Sequence, residues 1–155
     1  MTVHAGEQWC GRNVYDAVTT LNAERIGHGV HIKDHEQAYS AVKDHTIALE
    51  LCPTSNVQTK CVNAFDDHPI RQFHKDGVIV TINTDNRTVS DTDMTREVEK
   101  VFNTFELTKE DYRQIYMNSV DNAFASEEVK QHLRSFESDI INQSIRHNRT
   151  AKNSV

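Results

Sequence analysis

The chain has 155 residues, 37% hydrophobic and 26% charged, with five glycines, two prolines and a net charge of −6. Such a composition excludes collagen-like and extended low-complexity classes, and its acidic balance offers no basic footprint for nucleic acid. No stretch approaches the roughly 20 apolar residues that span a bilayer, and Met1-Thr2-Val3-His4-Ala5-Gly6-Glu7 lacks the basic start and apolar run of a secretory signal. The expected compartment is the cytoplasm, with neither nucleic acid nor membrane as a partner.

Four short apolar runs each end in polar residues and give way to a helical pattern. Thr2-Val3 leads into His4-Ala5-Gly6-Glu7 and a helix around Asn13–Leu21. Arg25-Ile26-Gly27-His28-Gly29 precedes a helix around Asp34–Lys43, and Ile47-Ala48-Leu49-Glu50-Leu51 runs into the loop Cys52-Pro53-Thr54-Ser55-Asn56. A helix around Pro69–Lys75 stops at Gly77, a favourable C-terminal cap, before the run Val78-Ile79-Val80-Thr81-Ile82 and then Asn83-Thr84-Asp85-Asn86. Near-continuous apolar runs alternating with helices predict βα units around a parallel sheet buried on both faces. Four such units are half of an eight-fold barrel; a flavodoxin-like open sheet is the other topology, without phosphate-loop glycines to support it.

Beyond Asp85 the pattern is helical. Ser90-Asp91-Thr92 is placed to cap a helix from about Asp93 to Phe105, with Val98, Val101, Phe102 and Phe105 as its stripe. Thr108-Lys109-Glu110-Asp111 has capping-box spacing and opens a helix through Phe124. A third helix is expected from Ser126 past Ile141, with Leu133, Phe136, Ile140 and Ile141 facing the core. One domain is expected over residues 1–147, with a frayed polar tail at 148–155. Cys10, Cys52 and Cys61 are widely spaced and odd in number, and are read as buried reduced thiols. The N-x-S/T matches at Asn86, Asn142 and Asn148 carry no weight without a secretory route.

In a barrel the C-terminal strand ends converge on one face and host the site. Here they hold His4, Glu7, His28, Ser55, Asn56, Asp85 and Asn86. An imidazole and a carboxylate, His4 and Asp85, suit Zn²⁺; Glu7 is placed to move protons and His28 to act as a base or stabilise charge. Each residue also has a plainer reading. A histidine at a strand end is commonly a structural hydrogen-bonding residue, Asp85 equally suits a helix cap, and Gly27 and Gly29 suit a tight turn. Ser55 and Asn56 read first as loop and cap chemistry. His31, His35, His45, His68, His74, His132 and His147 fall on polar or helical stretches and are read as solvated.

Taken together, His-Ala-Gly-Glu at 4–7, Arg-Ile-Gly-His-Gly at 25–29, Leu-Cys-Pro-Thr-Ser-Asn at 51–56 and Asn-Thr-Asp at 83–85 follow one another at spacings that resemble the adenosine deaminase family. The resemblance runs from Val3 to about residue 130, including Asn118-Ser119 and Ser126-Glu127-Glu128 in the helical tail. It implies an α/β fold, the C-terminal half of a (β/α)₈ TIM barrel followed by C-terminal helices. It also implies a Zn²⁺-dependent aminohydrolase of purine metabolism that converts adenosine to inosine and ammonia. By the same resemblance, His4 and Asp85 are zinc ligands, Glu7 delivers a proton to purine N1 and His28 positions the attacking hydroxide. Gly6 and Asn86 meet the substrate. Asn86 stands where many family members have a second Asp facing purine N7, and its amide NH₂ is still a donor.

The H-x-H pair that supplies two further zinc ligands in the family is absent here, so the chain is expected to begin at the family's fifth strand and to hold zinc weakly. A half-barrel has two open parallel edges, which predicts self-association or pairing with the missing N-terminal half. The other readings are a catalytically inactive half-barrel serving as a binding or assembly module, or a relative acting on adenine or AMP. Cytidine-type deaminases are disfavoured because their H-x-E…P-C-x-x-C signature is absent.

Overall fold

Strands β1 (Thr2–Ala5), β2 (Arg25–His28), β3 (Ala48–Leu51) and β4 (Val80–Ile82) pair in chain order as one parallel sheet in the computed structural model, which describes residues 1–8 and 10–142. Helix α1 (Arg12–Thr19) joins β1 to β2. A 3-10 turn (Val30–Asp34) and α2 (Glu36–Asp44) join β2 to β3, and α3 (Pro53–Gln58), a 3-10 turn (Phe65–Asp67) and α4 (Ile70–Lys75) join β3 to β4. A doubly wound sheet reverses its strand order at a switch point; this one never does, so the arrangement is that of half a (β/α)₈ barrel.

Register sorts the side chains into lateral rows. Val3, Ile26, Leu49 and Val80 pair across the strands, and the last three are fully buried with Val14, Val18, Ala38 and Val42 of the helical layer in one core. Side chains alternate between faces along a strand, so His4, Gly27, Glu50 and Thr81 form the adjacent row on the opposite face. That face is polar: His4 is exposed and Glu50 half-buried. The expected apolar character on both faces therefore holds only on the helix side. In a closed barrel of this kind the second face lines the interior.

Four further helices follow the short α5 (Arg87–Ser90): α6 (Met94–Phe105), α7 (Lys109–Asp121), α8 (Glu127–Arg134) and α9 (Glu137–Asn142). The capping box is present as the spacing predicts, with Thr108 Oγ1 accepting from Asp111 N–H at 3.2 Å and Asp111 Oδ2 accepting from Thr108 N–H at 2.7 Å. Helix α7 leans on β4, where Asn118 Nδ2 donates to the Val80 carbonyl at 3.0 Å. Two helical expectations change. Residues 87–90 form α5, which closes at Asp91 in a left-handed conformation (φ 47°), so the cap of α6 moves to Asp93. The long helix from Ser126 divides at Ser135-Phe136, and Phe136 is exposed, not core-facing. The side chain of Ile141, His147 and the polar tail at 148–155 lie outside the described residues. Among the described residues no helix is long and apolar enough to cross a membrane.

Candidate active site

His4 stands on β1 beside Gly27 of β2. A methyl group at Gly27 would lie 3.1–3.3 Å from the His4 ring, so hydrogen at this position leaves the space the imidazole occupies. Gly27 thus serves close approach, in place of the turn expected of it; the turn is made by Gly29 at φ 70°. His28, the last residue of β2, also has φ 68°. Strand alternation alone would send it to the helix face with Ile26. With this left-handed backbone, its buried ring instead packs edge-on against His4, centroids 5.1 Å apart, and its Nε2 lies 3.6 Å from Glu7 Oε2. Left-handed backbone at a non-glycine residue costs on the order of 1–2 kcal/mol. Such strain gathers at sites that the surrounding structure over-determines.

Glu7 lies in the loop after β1, its side chain 28% exposed. The preceding Gly6 donates its N–H to Asn13 Oδ1 at 2.9 Å, and its carbonyl accepts from His31 N–H at 2.9 Å. An open cleft of about 590 Å³ extends from Glu7 past His31 and Lys33 to Cys61 and Asp67.

The segment after β3, read from sequence as a loop, is helix α3, with Pro53 at its first turn where a missing N–H costs nothing. From it Ser55 Oγ donates to Asp85 Oδ2 at 2.7 Å, and Asn56 Nδ2 meets His28 Nδ1 at 3.1 Å. Asp85, at φ 57°, is exposed just beyond β4. The cap of the following helix is Asn86, not Asp85: Asn86 Oδ1 accepts from Val89 N–H at 3.0 Å, which leaves its NH₂ group as the free end of the amide.

Three buried polar residues stand behind these strand ends: Asn56, which the sequence places at a strand end, and His68 and Glu97, which it does not mark. Asn56 was read as loop chemistry and is fully buried between two histidines. His68, expected in solvent, is 3% exposed; its Nε2 meets Asn56 Oδ1 at 3.1 Å and its Nδ1 accepts from Ile70 N–H at 3.2 Å. His31, His35 and His74 are likewise half-buried, whereas His45 and His132 are exposed as expected. Glu97 of α6, 1% exposed, accepts from Thr54 N–H at 2.6 Å and Thr92 Oγ1 at 3.1 Å, tying α6 to the first turn of α3. The prolines at 53 and 69 are the one available hint, since each opens a helix whose first N–H groups need outside acceptors.

Burial lowers the His28 pKa, against the opposing pull of Glu7 and Asp85. Burial pushes His68 down to about 3. Both rings are therefore neutral at physiological pH. Cys52 and Cys61 are pushed up to about 12 by burial and stay protonated; Cys10, contrary to the expectation of burial, is exposed.

His4 and Asp85 offer nitrogen and oxygen donors of the kinds zinc takes. Among the described residues, however, no group of three or more His, Cys, Asp or Glu side chains is arranged to hold a metal ion. Two donors fit zinc chemically and fall short of a four-coordinate set.

Comparison with known proteins bears on the family and the fold. The adenosine deaminase family model matches residues 1–139. Adenosine deaminase of Vibrio atlanticus (strain LGP32) is 69% identical over 136 residues, which cover 88% of this chain and 41% of that protein. The chain thus spans about two fifths of the length of the curated relatives it matches. Adenine deaminase from Arthrobacter aurescens superposes with a TM-score of 0.87 at 24% identity, over 92% of this chain and 43% of that one, which speaks to the fold. An amidohydrolase from Burkholderia ambifaria, solved with bound zinc, superposes with a TM-score of 0.77 at 26% identity, over 89% of this chain and 39% of that one. By the family model across nine tenths of its length and by relatives as much as 69% identical, this chain belongs to the adenosine deaminase family.

Proposed function

We propose that the protein to which this chain belongs hydrolyses adenosine to inosine and ammonia, and that the chain supplies the C-terminal half of the active site. The observation that carries this reading is the meeting of Glu7 and His28 beside His4, on the face where barrel enzymes do their chemistry. His4 and Asp85 are the proposed zinc ligands, with the remaining donors coming from outside the described residues. When bound, zinc lowers the pKa of water toward about 7 and so supplies hydroxide at neutral pH.

The chain's own residues divide the remaining work. Glu7 gives a proton to purine N1, drawing electrons from C6 and making it electrophilic. His28, neutral and held from behind by Asn56, orients the attacking water and stabilises the charge that develops as the C6–O bond forms. Ser55 holds one carboxylate oxygen of Asp85, which fixes the direction of the other. The amide NH₂ of Asn86 is the donor offered to N7. Gly6, whose N–H is engaged by Asn13, meets the purine through the backbone of the same loop. As the C6–N bond breaks, the hydroxyl proton of the adduct passes to the amino group, so that ammonia leaves and the C6 carbonyl of inosine remains. The cleft beside Glu7 has the volume of an ordinary small-molecule pocket.

One observation favours a non-catalytic binding module as the second reading: two zinc donors are too few for a structural or catalytic site. Ammonia release from adenosine, adenine and AMP, with zinc present and the N-terminal half of a relative supplied, separates the possibilities. Adenosine is expected to be the preferred substrate. Release from adenine or AMP alone would reassign the substrate, and none from any of the three would favour the binding module.

A further inference from the structure

Behind His28 runs a buried line of hydrogen bonds that the chemistry above does not require: Ile70 N to His68 Nδ1 at 3.2 Å, His68 Nε2 to Asn56 Oδ1 at 3.1 Å, and Asn56 Nδ2 to His28 Nδ1 at 3.1 Å. Its direction follows from its first member. A backbone N–H only donates, so His68 Nδ1 is an acceptor. Pro69 has no N–H, which makes Ile70 the first amide after His68 able to play this part. A neutral imidazole that accepts at Nδ1 carries its proton on Nε2, so His68 donates to Asn56, which must present its carbonyl oxygen. The Asn56 NH₂ then points at His28 Nδ1, and that nitrogen in turn must accept. All three side chains are at most 3% exposed, so no water competes for these groups.

We propose that His68 is a positioning residue which, through Asn56, keeps Nδ1 of His28 an acceptor and its proton on Nε2, the nitrogen facing Glu7. The consequence is functional: His28 meets the attacking water as a hydrogen-bond donor and not as the base that deprotonates it. That consequence rests on the deaminase reading; the tautomer itself does not. Protonation of His68 would set two N–H groups against each other at Ile70, and burial opposes it as well.

The test is a long-range proton–nitrogen correlation spectrum of the chain with labelled histidine and asparagine, at about pH 8, above the ordinary histidine range. His28 and His68 are both expected to show a protonated Nε2 and a bare Nδ1, with a through-hydrogen-bond coupling from the Asn56 amide to His28 Nδ1. Asn56→Asp replaces the donor by an acceptor, so His28 is expected to move its proton to Nδ1, while His68→Gln, which keeps a donor toward Asn56, leaves the His28 pattern as it is. A bare Nε2 on His28 in the unsubstituted chain, or an unchanged pattern in Asn56→Asp, would overturn the relay while leaving the deaminase reading intact. If Asn56→Asp does not fold, the coupling decides: its presence supports the relay and its absence overturns it.

Discussion

His68 gives the site a measurable dependence on pH. Its folded-state pKa of about 3 lies below the 6.5 of an ordinary histidine, so between these values the unfolded chain binds the extra proton. The stability it contributes is complete above about pH 6.5 and is lost as pH falls toward 3, of order 5 kcal/mol in all. His28, also lowered by burial, acts in the same direction. Urea unfolding should show a loss of about 2 kcal/mol between about pH 7 and pH 5, and His68→Gln should lose markedly less; equal losses would mean that His68 is not buried neutral. A second residue-level prediction concerns Gly27. The β-carbon of Gly27→Ala would lie 3.1–3.3 Å from the His4 ring, so the imidazole must shift by a few tenths of an ångström. Zinc affinity and kcat/KM of the assembled enzyme should fall roughly tenfold or more, while unfolding temperature changes little. Wild-type zinc affinity in Gly27→Ala would show that the ring is not positioned by this contact.

At the scale of elements, α3 is the part whose role was hardest to see in advance. The strands announced themselves through four apolar runs, and α7 through a capping box that the structure reproduces atom for atom. Helix α3 has only six residues and no amphipathic stripe, so its type was hidden; its contacts at Asp85 and His28 come from segments 30 and 28 residues distant. Sequence spacing marks the strand ends, where it places His4, Glu7, His28, Asn56 and Asp85. It does not reveal partners brought together by the closing of separate βα units, which is why the buried contacts of Asn56 with His28 and His68, and of Glu97 with Thr54, carry no signal in it. Glu97 illustrates the cost of such a hidden contact. Glu97→Ala leaves Thr54 N–H without its acceptor at the start of α3 and should destabilise the chain by about 2 kcal/mol. It should also lower kcat in the assembled enzyme by loosening Ser55 and Asn56. Full activity with the expected loss of stability would separate α3 placement from catalysis.

At the scale of the whole molecule, the sheet has two unpaired edges among the described residues. Among the described residues β1 and β4 each have one strand neighbour, and the row His4–Gly27–Glu50–Thr81 is polar where a barrel interior would enclose it. Open parallel edges are templates for pairing. We expect the chain to form a one-to-one complex with the N-terminal half of a relative such as the Vibrio atlanticus enzyme, bringing the missing zinc donors with it. Sedimentation equilibrium should detect that complex, and a monomer indifferent to the added half would count against pairing. The most direct test of the deaminase reading is the loss of adenosine absorbance catalysed by this complex with zinc, compared with the same complex carrying Glu7→Gln. Conversion to inosine that falls by at least about a hundredfold on removing this one proton donor is the predicted result. Conversion at the same rate in Glu7→Gln would contradict the account.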